Sequence, residues 1–130
     1  GARGPAQRDR PQAPAQAMTV LVCGSRTWRN RLMIVERLKQ LPPETEILHG
    51  GARGADTLAQ NVAQELGFPY RVFPAQWNTH GRQAGFIRNI QMLEQRPTLV
   101  LAFWDGVSRG TAHTIQEAIK RGILTEVIQP

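Results

Sequence analysis

Cysteine occurs once in this chain of 130 residues, at Cys23, so an intramolecular disulfide is excluded. No Cys/His cluster has metal-ligand spacing, and neither a metal nor a cofactor is expected. A buried strand position suits the lone thiol. Long hydrophobic runs are missing too: none approaches the ~20 residues that span a bilayer, and no apolar stretch of the secretory kind stands near the N-terminus. A cytoplasmic protein without a membrane partner is the expectation. Lysine is scarce. Of sixteen basic residues fourteen are arginine, against ten acidic ones, a formal charge of +6. Arginine favours planar, bidentate contacts to phosphate or carboxylate over diffuse charge.

Residues 1–17 lack any large apolar side chain and cannot offset the entropy of ordering. They are expected to be a disordered tail, an upstream linker or an expression remnant, leaving 18–130 as one nucleotide-binding domain. Within that stretch strand and helix patterns alternate. Thr19 to Cys23 is a short, apolar, β-branched run of the kind buried on both faces of a sheet. Leu32, Val35, Leu38 and Leu41 predict a helix stopped by Pro42-Pro43, and Glu46 to His49 a second strand. Ala55, Leu58, Ala59, Val62, Ala63 and Leu66 form a helical stripe closed by Gly67. Tyr70 to Phe73 is a third strand, and Pro74 to Arg82 a longer polar connection. Phe86, Ile87, Ile90 and Leu93 mark another helix, Thr98 to Phe103 a fourth strand, Ala112, Ile115, Ala118 and Ile119 the last helix, and Ile123 to Ile128 an edge strand.

Strict alternation of this kind predicts an α/β fold: a single Rossmann-like, doubly wound parallel sheet of about five strands in the order 3-2-1-4-5, with helices on both faces. Ligands of such sheets bind beyond the carboxyl ends of the strands. Three glycine-bearing loops leave those ends: Cys23-Gly24-Ser25-Arg26, the run from His49 to Asp56, and the run from Trp104 to Thr111. Glycine admits close backbone approach, and the following helix offers free N–H groups and the positive end of its dipole, a combination suited to phosphate. Arg26, Arg53 and Arg109 lie in these loops, and Arg82 and Arg88 in or just after the longer connection, so the expected partner is an anion, mononucleotide or nucleic acid. The dinucleotide fingerprint is absent after the first strand, and Gly106 to Thr111 lacks the lysine of a Walker loop. Neither NAD in its usual mode nor P-loop ATP hydrolysis is supported.

The segments CGSR at 23–26, HGGARGAD at 49–56, RNIQM at 88–92 and SRGT at 108–111 resemble, in order, the SLOG superfamily of Rossmann-like domains, and within it the YspA-like branch of bacteria and phages. That superfamily also holds the LOG phosphoribohydrolases, which cleave the base from cytokinin nucleoside monophosphates, a DNA-processing protein that binds single strands, and sensors of nucleotide-derived signals. The loop chemistry and the resemblance together point to a nucleotide-derived ligand on Gly24, Ser25, Arg26, Gly50, Gly51, Arg53, Gly54, Asp56, Arg88, Asn89, Ser108, Arg109, Gly110 and Thr111, and the place of Asp105 at the end of the fourth strand adds that residue. Against the hydrolases the chain departs in two places: Asn89 replaces their lysine, and the position of their catalytic glutamate falls on Thr114. A hydroxyl cannot do the work of that carboxylate at neutral pH. Arg88 and Glu117 are the remaining catalytic candidates, with His113 close by in sequence.

The reading that results is a nucleotide-binding sensor or regulatory module whose phosphate sits on the second and third glycine loops. An N-glycosidic phosphoribohydrolase is the alternative, and a binder of single-stranded DNA the second alternative. Several residues keep two roles open. Asp56 either complements the helix dipole or meets a ribose hydroxyl; Asp105 either shapes a turn or meets ligand. Ser108 and Thr111 are either caps or phosphate contacts, and Arg88 faces either solvent or ligand. Trp28, Trp77 and Trp104 either pack or stack on bases. A homodimer through the helix of residues 86–93 is a further expectation.

Overall fold

The computed structural model describes residues 18–130. Five strands, β1 (Thr19–Gly24), β2 (Glu46–His49), β3 (Tyr70–Val72), β4 (Leu99–Phe103) and β5 (Leu124–Ile128), form one sheet in the order β3-β2-β1-β4-β5. Every neighbouring pair is parallel, with Val20 beside Ile47 on one side and Leu99 on the other. This is the doubly wound sheet and strand order the alternation predicts. The order reverses at β1, where the crevice of such sheets opens.

Alternation along β1 builds two cores. Val20 and Val22 point into one with Ile47, Leu101 and Phe103, covered by helices α1 (Arg31–Leu38) and α2 (Ala55–Leu66). Leu21 and Cys23 point into the other with Val100 and Ala102, covered by α4 (Ala84–Leu93) and α5 (Arg109–Lys120). Side chains two apart share a face of a strand, so a wholly apolar strand needs cover on both. Among the described residues no helix is long and apolar enough to cross a membrane.

Helix boundaries follow local chemistry. The Asn30 side chain accepts from Met33 N–H and starts α1, and α2 ends at Gly67 in left-handed conformation, with Phe68 N–H donating to the Ala63 carbonyl at 2.8 Å. The apolar faces differ from expectation in three helices. Leu32 is 66% exposed, while Ile34, Leu38 and Leu41 are buried. Steps of three residues drift by roughly 60° each around an α-helix, so Leu32 and Leu38 stand about 120° apart, and Leu41 lies beyond the end of α1. On α4 the buried set is Ala84, Asn89, Met92 and Leu93, and on α5 it is Thr111, Thr114, Ile115 and Ala118, with Ile119 turned outward. The longer connection is not wholly irregular: it contains a short helix, α3 (Trp77–His80), and a 3-10 turn (Gly81–Gln83) leading into α4.

Candidate functional site

The loop after β1 is clamped between its neighbours. A Cβ on Gly24 would overlap the Phe103 carbonyl and the Ala55 side chain, so only glycine fits there. Ser25, which is buried, fastens three loops at once. Its N–H donates to the Phe103 carbonyl at 3.0 Å, its carbonyl accepts from Trp28 and Ala55 N–H at 3.1 Å, and its hydroxyl accepts from Asp105 N–H at 2.9 Å. The serine expected to meet ligand therefore spends its polar groups on joining the first, second and third glycine loops.

The second loop is organised around an internal anion. The same Asp56 carboxylate oxygen accepts from Gly50 and Ala52 N–H, both at 3.1 Å, and His49 Nδ1 accepts from Gly51 N–H at 3.0 Å. The N–H groups of residues 50–52, where a phosphate was expected, are thus all taken within the chain. Accepting at Nδ1 requires a neutral His49 ring, and burial holds its pKa below the usual value. Gly54 has φ +75, and a Cβ there would collide with the Ser25 and Arg26 carbonyl oxygens. Burial pushes the Asp56 carboxyl up to about 6, opposed by its two backbone bonds and by the charges of Arg88 and Arg26.

Arg88, on α4, reaches back to this loop. Its Nη1 donates to the Gly50 carbonyl at 2.6 Å and to the Phe73 carbonyl at 3.3 Å, while Nε donates to Asn89 Oδ1 at 3.0 Å. Burial lowers its pKa from the usual guanidinium value, and the charge of Asp56 opposes this. Asn89 in turn donates to the Gly110 carbonyl at 3.3 Å, tying α4 to the start of α5. The asparagine that stands where the hydrolases have lysine is thus a bridge between helices.

The loop after β4 holds a different arrangement. Asp105 Oδ1 accepts from Val107 and Ser108 N–H at 2.8 and 2.9 Å, a turn that those bonds keep ionised below the ordinary carboxylate range. Trp104 Nε1 donates to the Ser108 carbonyl at 3.0 Å. Ser108 precedes α5 but makes no capping bond, pairing instead with the Thr111 hydroxyl at 3.1 Å. The N–H groups of Arg109, Gly110 and Thr111 have no acceptor among the described residues. Free first-turn N–H groups are the usual anion seat of an α/β fold.

These pieces border one cavity of about 410 Å³. Of the residues expected at the site, Gly24, Arg26, Asp56, Arg88, Asn89, Ser108, Arg109, Gly110 and Thr111 line it. Gly50, Gly51, Arg53 and Gly54 do not, and Ser25 and Asp105 border a separate hollow beside Trp28. Glu117 is also off the wall; Arg121 and Lys120 bond its carboxylate at 2.6 and 3.2 Å and depress its pKa. Thr114, at the glutamate position, is buried on the wall and donates to the Gly110 carbonyl at 3.3 Å. Burial pushes the Cys23 thiol up, so the cavity wall holds no thiolate there. The wall adds Arg82 and Phe86, the first named in the sequence only as a basic residue of the connection and the second as helix stripe. Of the three tryptophans Trp77 alone lines it; Trp28 is core, packed edge-on against Phe103. No group of three or more His, Cys, Asp or Glu among the described residues could hold a metal ion.

Comparison with known proteins agrees with this architecture. The family described as YspA, cpYpsA-related SLOG matches residues 18–80. The Gene 61 protein of Mycobacterium phage D29 is 39% identical over 113 residues, an alignment covering 80% of this chain and 90% of that protein. The X-ray structure of DNA processing protein A (DprA) from Streptococcus pneumoniae superposes with a TM-score of 0.68 at 18% identity, over 86% of this chain and 50% of that one. At that identity the likeness is one of fold, and the chain spans half the length of DprA.

Proposed function

The chain belongs to the YspA, cpYpsA-related SLOG family, and from that premise we propose that it binds a nucleotide or nucleotide-derived ligand in the rim cavity, as a sensor or regulatory module. The observation that carries the reading is the first turn of α5. Its N–H groups at 109–111 are without acceptors among the described residues, at a cavity whose wall includes Arg26, Arg82, Arg88 and Arg109. The second loop, by contrast, already has its anion in Asp56. A ligand phosphate therefore belongs on α5, with Arg109 beside it, while Arg88 and Asp56 hold the floor in shape. Cytoplasmic residence and pairing of two copies through residues 86–93 accompany this reading as proposals.

Binding has more support than hydrolysis. Asp56 is the carboxylate on the wall, and its bonded oxygen serves two backbone donors. Thr114 stands where the hydrolases carry glutamate, and Glu117 is held in ion pairs away from the cavity. Calorimetry and thermal-shift measurements with mono-, di- and cyclic nucleotides test the proposal. Saturable binding weakened by Arg109→Ala is expected; wild-type protein that binds none and shows no thermal shift defeats it. Chromatography of nucleoside monophosphates incubated with the protein separates the hydrolase, which must release free base.

A second reading, single-stranded nucleic acid at the same rim, draws on the arginine-rich wall and on the fold shared with DprA. It requires an affinity that falls steeply with salt, because each phosphate contact releases counterions. Anisotropy titration of an oligonucleotide at two salt concentrations measures that slope.

A further inference from the structure

Trp77 stands on the cavity wall with 53% of its surface exposed. The other two tryptophans are engaged: Trp28 is 4% exposed in the core, and the Trp104 N–H is bonded to Ser108. The Trp77 indole lies beside Gly85, where even an added Cβ would meet its ring only in ordinary van der Waals contact at 3.7 Å. Phe86 lines the same wall, and its ring is packed on His113 with centroids 4.4 Å apart and planes at 33°. An exposed indole on a polar connection is unusual among tryptophans, whose large apolar area favours cover. Much of the remaining wall is cationic or offers free N–H groups.

We propose that Trp77, flanked by Phe86, is the base platform of this cavity: the planar heterocycle of a nucleoside monophosphate stacks on the indole while its phosphate takes the N–H groups that open α5. The proposal rests on the nucleotide reading above and adds which part of the ligand gives selectivity, a base and not a sugar phosphate alone. Size agrees. The cavity lies near the lower end of the ~300–1,000 Å³ typical of small-molecule sites, suited to one base, one sugar and one phosphate.

The test titrates the full chain with adenosine and guanosine monophosphates, with ribose 5-phosphate, and with a short single-stranded oligonucleotide, by calorimetry and by tryptophan fluorescence. A nucleoside monophosphate is expected to bind about 10-fold or more tighter than ribose 5-phosphate, the scale of a single base stack, and to quench fluorescence. Trp77→Ala removes that advantage while leaving ribose 5-phosphate binding intact, and Trp77→Phe restores most of it. The intact sugar-phosphate affinity doubles as proof that Trp77→Ala is folded. Equal binding of nucleotide and ribose 5-phosphate by wild type overturns the platform and leaves the phosphate site standing. So does a nucleotide preference that survives Trp77→Ala. Binding of the oligonucleotide alone overturns the mononucleotide as occupant, and no binding of any probe overturns the platform, the nucleotide reading falling with it where di- and cyclic nucleotides also fail to bind.

Discussion

Arg88 Nη1 donates to the Gly50 carbonyl at 2.6 Å across 38 positions of sequence, holding the second loop against the helix that follows the third strand. The same guanidinium compensates the buried Asp56 charge and orients Asn89, which bonds the start of α5. One side chain thus couples the β2 and β4 loops.

Removing it should loosen both. Arg88→Ala takes the donor from the buried Gly50 carbonyl and the larger of two compensating charges from the buried Asp56 carboxylate, and a loss of about 2–4 kcal/mol in denaturant unfolding is expected. Arg88→Lys should recover only part of this, because a point ammonium cannot serve Gly50, Phe73 and Asn89 from one planar fork. Equal stability of wild type and Arg88→Ala would show that the loop holds itself.

Asp56 gives a signed pH dependence. Its folded pKa, about 6, lies above the unfolded value, so its contribution favours folding at acid pH and is lost as pH rises through the folded pKa. Asp56→Asn keeps an oxygen able to accept from Gly50 and Ala52 but carries no charge. Relative to wild type it should gain stability from about pH 4 to about pH 7 and then level off, by about 3 kcal/mol in total. Urea melts of the two proteins along that range read the difference. A constant difference would remove burial as the dominant influence on this carboxyl.

Glycines distinguish close approach from mere turn geometry. Gly54→Ala places a Cβ against the Ser25 and Arg26 carbonyls at positive φ and should cost about 3 kcal/mol or more. Gly106→Ala, also at positive φ but with open space around it, should cost about 1 kcal/mol. Thermal melts of both variants rank them, and the reverse order would contradict the clamped-loop geometry.

Much of the framework could be read from residue order. Apolar runs at β1, β2 and β4, each followed by a glycine loop and a helical stripe, specify parallel strands and place those three loops on one rim, and Gly67 closes α2 as its position suggests. Helix faces were less legible where small or polar residues pack inward. Asn89, Thr111 and Thr114 are buried because each finds a polar partner, which hydrophobic periodicity does not register. The second loop carried the plainest phosphate signature, yet Asp56, six residues beyond Gly50, folds back onto its N–H groups. Glycine spacing reveals a nest but not whether the chain fills it. Trp28, Trp77 and Trp104 look alike in sequence; only packing tells the core residue from the exposed one.

Glu117 supplies a negative control. It is bonded to Arg121 and Lys120 and lies off the cavity wall, so Glu117→Gln should leave nucleotide affinity unchanged and neither protein should release base from a nucleoside monophosphate. Base released by wild type and abolished in the variant would restore a catalytic role for this side chain.

The most direct measurement is the amide spectrum of the isotope-labelled chain during titration with adenosine monophosphate. Saturable shifts at the N–H groups of Arg109, Gly110 and Thr111 are predicted, with Gly50, Gly51 and Ala52 nearly still because their acceptors are already in place. A spectrum in which 109–111 stay unmoved at saturation, or in which no amide responds, would contradict the assignment of the phosphate to the start of α5.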